Sequence, residues 1–234
     1  MRWHFVIGCV EIREFAEVLP STAMTIEATN PSIAPATAVA PVIHPRWVRV
    51  THWINALAIF MMIGSGWQIY DASPLFGFIY FPPQLALGQW LAGALLWHFA
   101  AMWILMINGA AYVTLGIATG RFRRKLFPIK PRAVLDDFLA ALRGKLAHDD
   151  LSVYNAVQRL LYVGVILAGI VIVLSGLSIW KPVQVQELTA LFGGYDAARY
   201  VHFFAMTAIV GFLVIHILLA LIVPKSLRAM VIGR

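Results

Sequence analysis

Four of the seven histidines lie in long apolar segments that contain almost no other ionisable side chain. They are His52, His98, His202 and His216. Ionisable residues in such segments are costly to bury and usually have a function. A neutral imidazole is a good metal ligand, and helical bundles build cofactor sites from side chains on facing helices. The four histidines therefore predict a metal-containing cofactor site. The other three lie in more polar segments and are predicted to be solvated: His4, His44 and His148.

The spacing of the four histidines divides them into two pairs. His202 and His216 are 14 residues apart, close to four helical turns, which puts them on one helix face about 21 Å apart. His52 begins the first apolar segment and is expected level with His216, while an internal repeat aligns His98 with His202. Each pair, His52 with His216 and His98 with His202, can supply both axial ligands of a haem iron. The prediction is two non-covalent haem b groups stacked across a bilayer.

Zinc is the competing metal. It prefers a close tetrahedral set of ligands, often with Cys or a carboxylate among them. The two histidine pairs are too far apart to form one such set, and no acid lies at membrane depth. The single cysteine, Cys9, excludes thiolate iron–sulfur sites and the C-x-x-C-H attachment of c-type haem. Haem b is therefore preferred over zinc.

The elements that must hold these histidines are membrane-spanning helices. Hydrophobic residues make up 61% of the chain and charged residues 12%, where a soluble domain has about a quarter charged. A helix needs about 20 apolar residues to cross a bilayer, and spanning segments must satisfy their own backbone. Four segments meet this requirement: 50–70, 85–117, 156–180 and 200–223. The predicted fold class is an all-α membrane protein with a bundle of four transmembrane helices.

The distribution of basic residues along the chain indicates the membrane topology. All but two of the 18 Lys and Arg residues lie in the N-terminal segment, the middle connection or the C-terminus. The exceptions are Lys181 and Arg199. By the positive-inside rule both termini are cytoplasmic, and the predicted location is the inner (plasma) membrane. The net charge of +7 then reflects loop placement, and nucleic acid is not a predicted partner.

Three regions of different character divide the chain. Residues 1–43 are predicted to be a disordered extension, residues 44–224 the four-helix dihaem domain and residues 225–234 a cytoplasmic tail. An A-x-A motif at 38–40 is compatible with signal-peptide cleavage, but it lies far from the short apolar run near the N-terminus. Residues 132–147 are predicted to form an amphipathic helix on the cytoplasmic surface.

The two halves of the helical region share short motifs. SGWQIY at 65–70 resembles SGLSIW at 175–180, and HFAAM at 98–102 resembles HFFAM at 202–206. This indicates a parallel repeat of a two-helix unit about the membrane normal. Glycines in the spans would let a flat cofactor approach the backbone, although for most of them ordinary packing of small residues between helices is the better interpretation.

Several of these motifs together resemble a known family. The runs RVTHWINAL at 49–57 and YNAVQRLLYVGVILAGIVIVLSGLSIW at 154–180, with the two histidines of the fourth helix, are similar to bacterial cytochrome b561-like proteins. That family includes the cytochrome b subunits of nickel–iron hydrogenases, formate dehydrogenases and thiosulfate reductases. The resemblance covers residues 44–224 and implies a dihaem subunit that links a quinone pool to an extracytoplasmic redox partner. By analogy the partner is a molybdopterin oxidoreductase. The family's ligand pattern falls on His52, His98, His202 and His216.

A quinone site is implied at the start of the third helix. In the formate dehydrogenase relatives an N-x-x-Q pattern lies there beside the cytoplasmic haem, and here it is Asn155 and Gln158. Their amides could donate to quinone carbonyls at the inner membrane edge. The same residues could equally serve helix packing and headgroup contact, so both interpretations stay open.

Cations that flank the expected haem depths are candidates to pair with haem propionates. On the cytoplasmic side they are Arg46, Arg49 and Arg159, and on the outer side Lys181 and Arg199.

Two other functions compete with an electron-transfer subunit. One is a self-contained enzyme of the same fold that oxidises a small molecule such as superoxide and needs no partner protein. The other is a non-redox membrane anchor or transporter, against which the lack of an intramembrane acid or cation counts. No residue is predicted to be catalytic, since haem and quinone carry the chemistry.

Overall fold

In a computed structural model, residues 42–143 and 153–233 are described, and every regular element in these two ranges is helical. Four helices are long and apolar enough to span a membrane, as the sequence predicts. The helices are α1 (Arg46–Ala72), α2 (Leu91–Ala118), α3 (Arg121–Leu126), α4 (Pro131–Leu142), α5 (Ala156–Trp180), α6 (Gln186–Leu191), α7 (Tyr195–Ile222) and α8 (Pro224–Ile232). The spans are α1, α2, α5 and α7.

The second span begins six residues later than predicted. Residues 83–85 form a single 3-10 turn, and Gly88 and Gln89 have φ angles of +109° and +62°. These left-handed conformations interrupt any helix. The backbone N–H of Leu87 donates to the Gly64 carbonyl at 2.9 Å. The apolar residues just before Leu91 therefore fold back on α1, which hydropathy alone does not distinguish from a helix.

The bundle consists of two helical hairpins, α1 with α2 and α5 with α7. The residues that these helices bury completely are small, among them Ala58, Ala94 and Ser175. Membrane helices pack closely through such residues because lipid provides no hydrophobic driving force between them. Large apolar side chains lie outside instead, and Leu96 and Ile107 are 73% and 68% exposed. This is the distribution expected where the surrounding solvent is lipid.

Short helices surround the end of the bundle where α1 begins. Residues 225–232 of the predicted tail belong to α8, and Arg49 Nη1 on α1 donates to the Val231 carbonyl at 2.7 Å. The predicted amphipathic helix is α4, and its C-terminal part beyond residue 143 lies outside the described residues, as do residues 1–41 of the predicted extension. Asp137 on α4 accepts a hydrogen bond from the backbone N–H of Ala156 at 2.7 Å, which attaches this helix to the start of α5.

Candidate cofactor sites

Two cavities of about 580 Å³ each separate the hairpins. One is lined by His98 and His202, and the other by His52 and His216. We refer to them as the His98–His202 cavity and the His52–His216 cavity. Each has the volume of a site for an organic ligand. Apolar side chains such as Ile59 lie between them and contribute to both.

The structure brings the four histidines together as two facing pairs. The ring centroids of His98 and His202 are 6.4 Å apart, and those of His52 and His216 are 6.0 Å apart. Two imidazoles that bind one metal ion from opposite sides, with bonds of about 2 Å and ring radii of about 1.1 Å, have centroids about 6.3 Å apart. Both separations thus match one metal ion between two imidazoles.

A serine determines which nitrogen of His98 faces the cavity. Ser65 Oγ lies 2.6 Å from the Met61 carbonyl and 3.0 Å from His98 Nδ1. The hydroxyl has one hydrogen, and the carbonyl oxygen can only accept it. The Nδ1 atom of His98 therefore carries a proton and donates it to Ser65 Oγ. The Met62 carbonyl next to this serine is a further hydrogen-bond acceptor for the His98 ring. The Nε2 atom of the ring then keeps its lone pair, which is the state that binds a metal.

The second hairpin repeats this arrangement. Ser175 Oγ lies 2.8 Å from the Val171 carbonyl and 3.1 Å from His202 Nδ1, so His202 is also protonated at Nδ1. The Ile172 carbonyl is a further hydrogen-bond acceptor for this ring. The glycine after each serine makes room for the imidazole. A Cβ added at Gly66 or Gly176 would lie 3.4 Å or 3.1 Å from Cε1 of the facing histidine.

Aromatic side chains hold the other pair. Phe212 stacks on His216 with centroids 5.5 Å apart and an interplanar angle of 13°, and Trp53 meets the ring of His52 edge-on at 5.3 Å. These contacts restrict the ring planes without supplying a hydrogen-bond acceptor. Within residues 42–143 and 153–233, no protein group accepts a hydrogen bond from either of these histidines.

A buried amide fixes the helical turn that carries His52. Asn108 on α2 donates from Nδ2 to the Thr51 carbonyl and to Asn55 Oδ1, both at 2.7 Å. Polar groups inside a bilayer need such partners because no water is available there to form hydrogen bonds with them. These bonds fix the register of α1 against α2, and Asn55 also lines the His52–His216 cavity.

Two cations line the His52–His216 cavity, Arg121 and Lys125 on α3. Gly120 has a φ of +64°, a conformation in which glycine reverses the chain at little cost, so that α3 turns back under α2. The ring of Phe122 then packs onto Gly116, where a Cβ would collide with it. These two glycines are what place α3 and its cations at the cavity.

Arg121 is held by two groups from other segments. It donates from Nη2 to His44 Nδ1 at 3.3 Å and hydrogen-bonds the Tyr154 hydroxyl, which also lines the cavity. His44 is buried, so the prediction that it is solvated is wrong. Burial and the nearby Arg121 charge lower the pKa of His44 to about 4. Burial raises the pKa of Tyr154 although Arg121 opposes this, and the phenol stays neutral at physiological pH. His4 and His148 lie outside the described residues.

The cytoplasmic cations predicted from sequence have other contacts. Arg49 donates to the Val231 carbonyl of α8. Arg159 donates from Nε to the Tyr154 carbonyl at 3.0 Å and from Nη1 to the Pro128 carbonyl at 3.1 Å. Arg46 is exposed. None of the three is among the described residues that line the His52–His216 cavity.

Of the two cations predicted on the outer side, only Arg199 lines a cavity, and Lys181 does not. Arg199 does line the His98–His202 cavity, and it donates from Nη2 to the Ser73 carbonyl at 2.5 Å. The Nζ atom of Lys181 lies 4.8 Å from the centre of the Trp180 ring. Arg199 is therefore the cation that the described residues place at this cavity.

Asn155 and Gln158 form a capping box at the start of α5. Asn155 Oδ1 accepts from the Gln158 backbone N–H at 2.7 Å, and Gln158 Oε1 accepts from the Asn155 backbone N–H at 3.1 Å. Both bonds use the amide oxygens. Asn155 follows Tyr154, so the capping box begins next to a residue that lines the His52–His216 cavity.

The donor sets fit haem b better than zinc. Among the described residues, no three His, Cys, Asp or Glu side chains lie close enough to bind one metal ion. Each cavity offers two imidazoles and mostly apolar walls, so the remaining ligands must come from the cofactor, as the porphyrin nitrogens of haem do. The two serines leave Nε2 of His98 and His202 able to bind a metal, which either ion requires.

Sequence comparisons agree with this chemistry. Residues 43–233 match the family model described as prokaryotic cytochrome b561. The chain is 52% identical to the putative protein-methionine-sulfoxide reductase subunit YedZ1 of Azospira oryzae over 191 residues. The aligned region covers 82% of this chain and 96% of that protein. The chain belongs to the prokaryotic cytochrome b561 family, which confirms the resemblance found in its sequence. It is a multi-pass bacterial membrane protein, and its family implies haem b and electron transport.

Proposed function

We propose that this member of the prokaryotic cytochrome b561 family holds two haem b groups and carries electrons between the quinone pool and an oxidoreductase outside the cytoplasm. The observation that carries the proposal is the pairing of four histidines in two cavities of one bundle. The separation of His202 and His216 along α7, about 21 Å, puts the two sites near opposite faces of a bilayer. Each bound haem supplies a one-electron iron couple.

The distribution of charge supports the orientation. The His52–His216 cavity lies at the end of the bundle that carries α3 and α8, where Lys and Arg are concentrated. By the positive-inside rule this end faces the cytoplasm and both termini lie there. The His98–His202 cavity then faces outward, toward the partner. The repeat of Ser65 with His98 and Ser175 with His202 also supports a parallel two-helix repeat.

The relative's name supports an identity for the partner. That protein is named as a putative subunit of a protein-methionine-sulfoxide reductase. We propose that this chain serves an enzyme of the same class. Reduction of a sulfoxide to a thioether consumes two electrons and two protons and releases water. A quinol supplies two electrons and releases two protons as it becomes quinone. A molybdopterin cofactor in the partner stays a prediction.

The chain's own residues prepare the sites and leave the redox chemistry to the cofactors. Ser65 and Ser175 orient two of the imidazoles, and the mostly apolar walls of the cavities would exclude water from a bound haem. Arg121 and Lys125 at one cavity and Arg199 at the other are placed to bind haem carboxylates. We propose that the quinone site lies beside the His52–His216 cavity, next to Tyr154 and the amides of Asn155 and Gln158.

Haem quantification in purified variants tests the proposal. The wild-type protein should contain two b haems per chain by the pyridine haemochrome method. His98→Ala and His202→Ala should each remove the same haem, and His52→Ala and His216→Ala should each remove the other. Thr189→Ala is the control, because it removes a buried polar side chain that lines neither cavity and should keep two haems. A wild-type protein without haem, or loss of the same haem in His52→Ala and in His202→Ala, would contradict the proposal.

A further inference from the structure

The two cavities treat their histidines differently, although the helices around them are related by a repeat. Both histidines of the His98–His202 cavity donate from Nδ1 to a serine oxygen. Those of the His52–His216 cavity are held by Phe212 and Trp53, whose rings are poor hydrogen-bond acceptors. This difference affects the metal, because an acceptor on the far nitrogen makes an imidazole a stronger electron donor.

Stronger donation stabilises the ferric state of a haem iron relative to the ferrous state and lowers its reduction potential. In the His98–His202 cavity both axial ligands have such an acceptor. The effects of Ser65 and Ser175 therefore add on one iron. The other iron receives no comparable contribution from the residues that the structure describes.

The charges that line the cavities act in the same direction. Reduction adds an electron, and a nearby cation stabilises the reduced form by Coulomb attraction, most strongly where water is excluded. The His52–His216 cavity is lined by Arg121 and Lys125, with no acid among its described lining residues. The His98–His202 cavity is lined by one cation among the described residues, Arg199.

We propose that Ser65 and Ser175 are positioning residues that make the haem at His98 and His202 the lower-potential haem of the two. This inference rests on the proposed function. An electron shared by the two haems then resides mainly at the His52–His216 site, on the proposed quinone side. Electron transfer to an outer partner would then go from the higher-potential to the lower-potential haem. The overall transfer is favourable only if the partner's acceptor has a sufficiently high reduction potential.

A redox titration with single-haem variants tests the order directly. His98→Ala retains only the His52–His216 haem, and His52→Ala retains only the other, so each titration assigns one potential. The haem kept by His98→Ala should have the higher potential. The reverse order overturns the inference while leaving the proposed function intact, whereas a wild-type protein without two haems contradicts the proposed function itself.

Serine variants test the cause. Ser65→Ala and Ser175→Ala should each raise the potential of the His98–His202 haem, and the double variant should raise it further, with the other haem unchanged. The control is Ser178→Ala, which removes a buried serine of α5 that bonds the Leu174 carbonyl and should shift neither potential. Unchanged potentials in a double variant that keeps both haems would overturn the assignment. If the serine variants lose haem, the order of the two haem potentials measured in His98→Ala and His52→Ala still tests the inference.

Discussion

Gly176 lies directly against the imidazole of His202, so closely that a Cβ at this position would come within 3.1 Å of the ring's Cε1 atom. Ser175 accepts a hydrogen bond from the same ring. One Ser-Gly dipeptide thus supplies both an acceptor and a flat backbone surface to a histidine from the neighbouring helix. Ser65 and Gly66 do the same for His98. These contacts explain physically why the Ser-Gly and His-Phe motifs recur together in the two halves.

Gly176→Ala should loosen the haem of the His98–His202 cavity. The added methyl group is closer than ordinary contact allows, so the His202 ring must move by a few tenths of an ångström. We expect this haem to be lost several-fold faster on transfer to a haem acceptor such as apomyoglobin. Gly66→Ala should have a smaller effect because its Cβ would lie 3.4 Å from the facing ring.

Gly164→Ala is the control for this prediction. Gly164 lies on the same helix and has no atom within 4 Å of an added Cβ. In a helix interior this change gains up to about 1 kcal/mol in intrinsic propensity and should leave haem loss unchanged. Equal rates in Gly164→Ala and Gly176→Ala would contradict the close approach.

Arg121→Gln should weaken retention of the haem in the His52–His216 cavity. The change removes one of two cations at this cavity that can form charge-assisted hydrogen bonds with haem carboxylates. Reconstitution with haem b and with its dimethyl ester separates this role from packing. Wild-type protein should favour haem b at this site, and Arg121→Gln should lose most of that preference.

Two arginines provide contrasts for this test. Arg123→Gln changes an exposed cation on the same helix and should keep the preference for haem b. Arg159→Gln removes hydrogen bonds to the Tyr154 and Pro128 carbonyls, so it should lower thermal stability without changing the preference. A preference lost in Arg159→Gln and kept in Arg121→Gln would instead support the propionate contact predicted from sequence.

Asn155→Asp separates helix capping from quinone binding. Aspartate keeps the oxygen that accepts from the Gln158 backbone N–H and is an equally good N-cap, but it lacks the amide NH2 group. We expect an unchanged melting temperature and slower reduction of the haems by a quinol. Asn155→Ala should lose both properties, with about 1 kcal/mol of stability lost with the cap. Unchanged quinol kinetics in Asn155→Asp would limit this residue to capping.

His44 should make the folded protein sensitive to acid. Its pKa in the folded state is about 4 because it is buried and because Arg121 repels the protonated ring, while the unfolded value is near 6.5. The unfolded state therefore binds the proton first as the pH falls. The stability that His44 contributes is complete above about pH 6.5 and declines between pH 6.5 and 4.

His44→Asn isolates this contribution. An asparagine oxygen can accept from Arg121 in place of Nδ1 but does not titrate in this range. We expect the loss of melting temperature between pH 7 and pH 5 to be smaller in His44→Asn than in wild type. Equal losses in the two proteins would show that the pKa of His44 in the folded state is close to its unfolded value.

Hydropathy predicted the four spans because lipid imposes one length and one composition on any helix that crosses it. It misplaced the start of α2 because residues 85–90 are mostly apolar but fold back through Gly88 and Gln89, which have left-handed backbone conformations. The Ser-Gly motif was visible twice in the sequence, but only as a repeat. Its contacts with His98 and His202 cross between helices, and a repeat does not reveal which atoms meet.

The sequence by itself indicated the family through the resemblance of its motifs, and the number of spans through hydropathy. It also predicted the pairing of histidines, since helical periodicity and an internal repeat act along the chain. The tertiary structure decided which cations accompany each pair. Arg121 reaches a cavity because Gly120 reverses the chain, whereas Arg159 binds backbone carbonyls instead. A long, flexible arginine can reach many partners from one position, and only the packed fold fixes which of them is near.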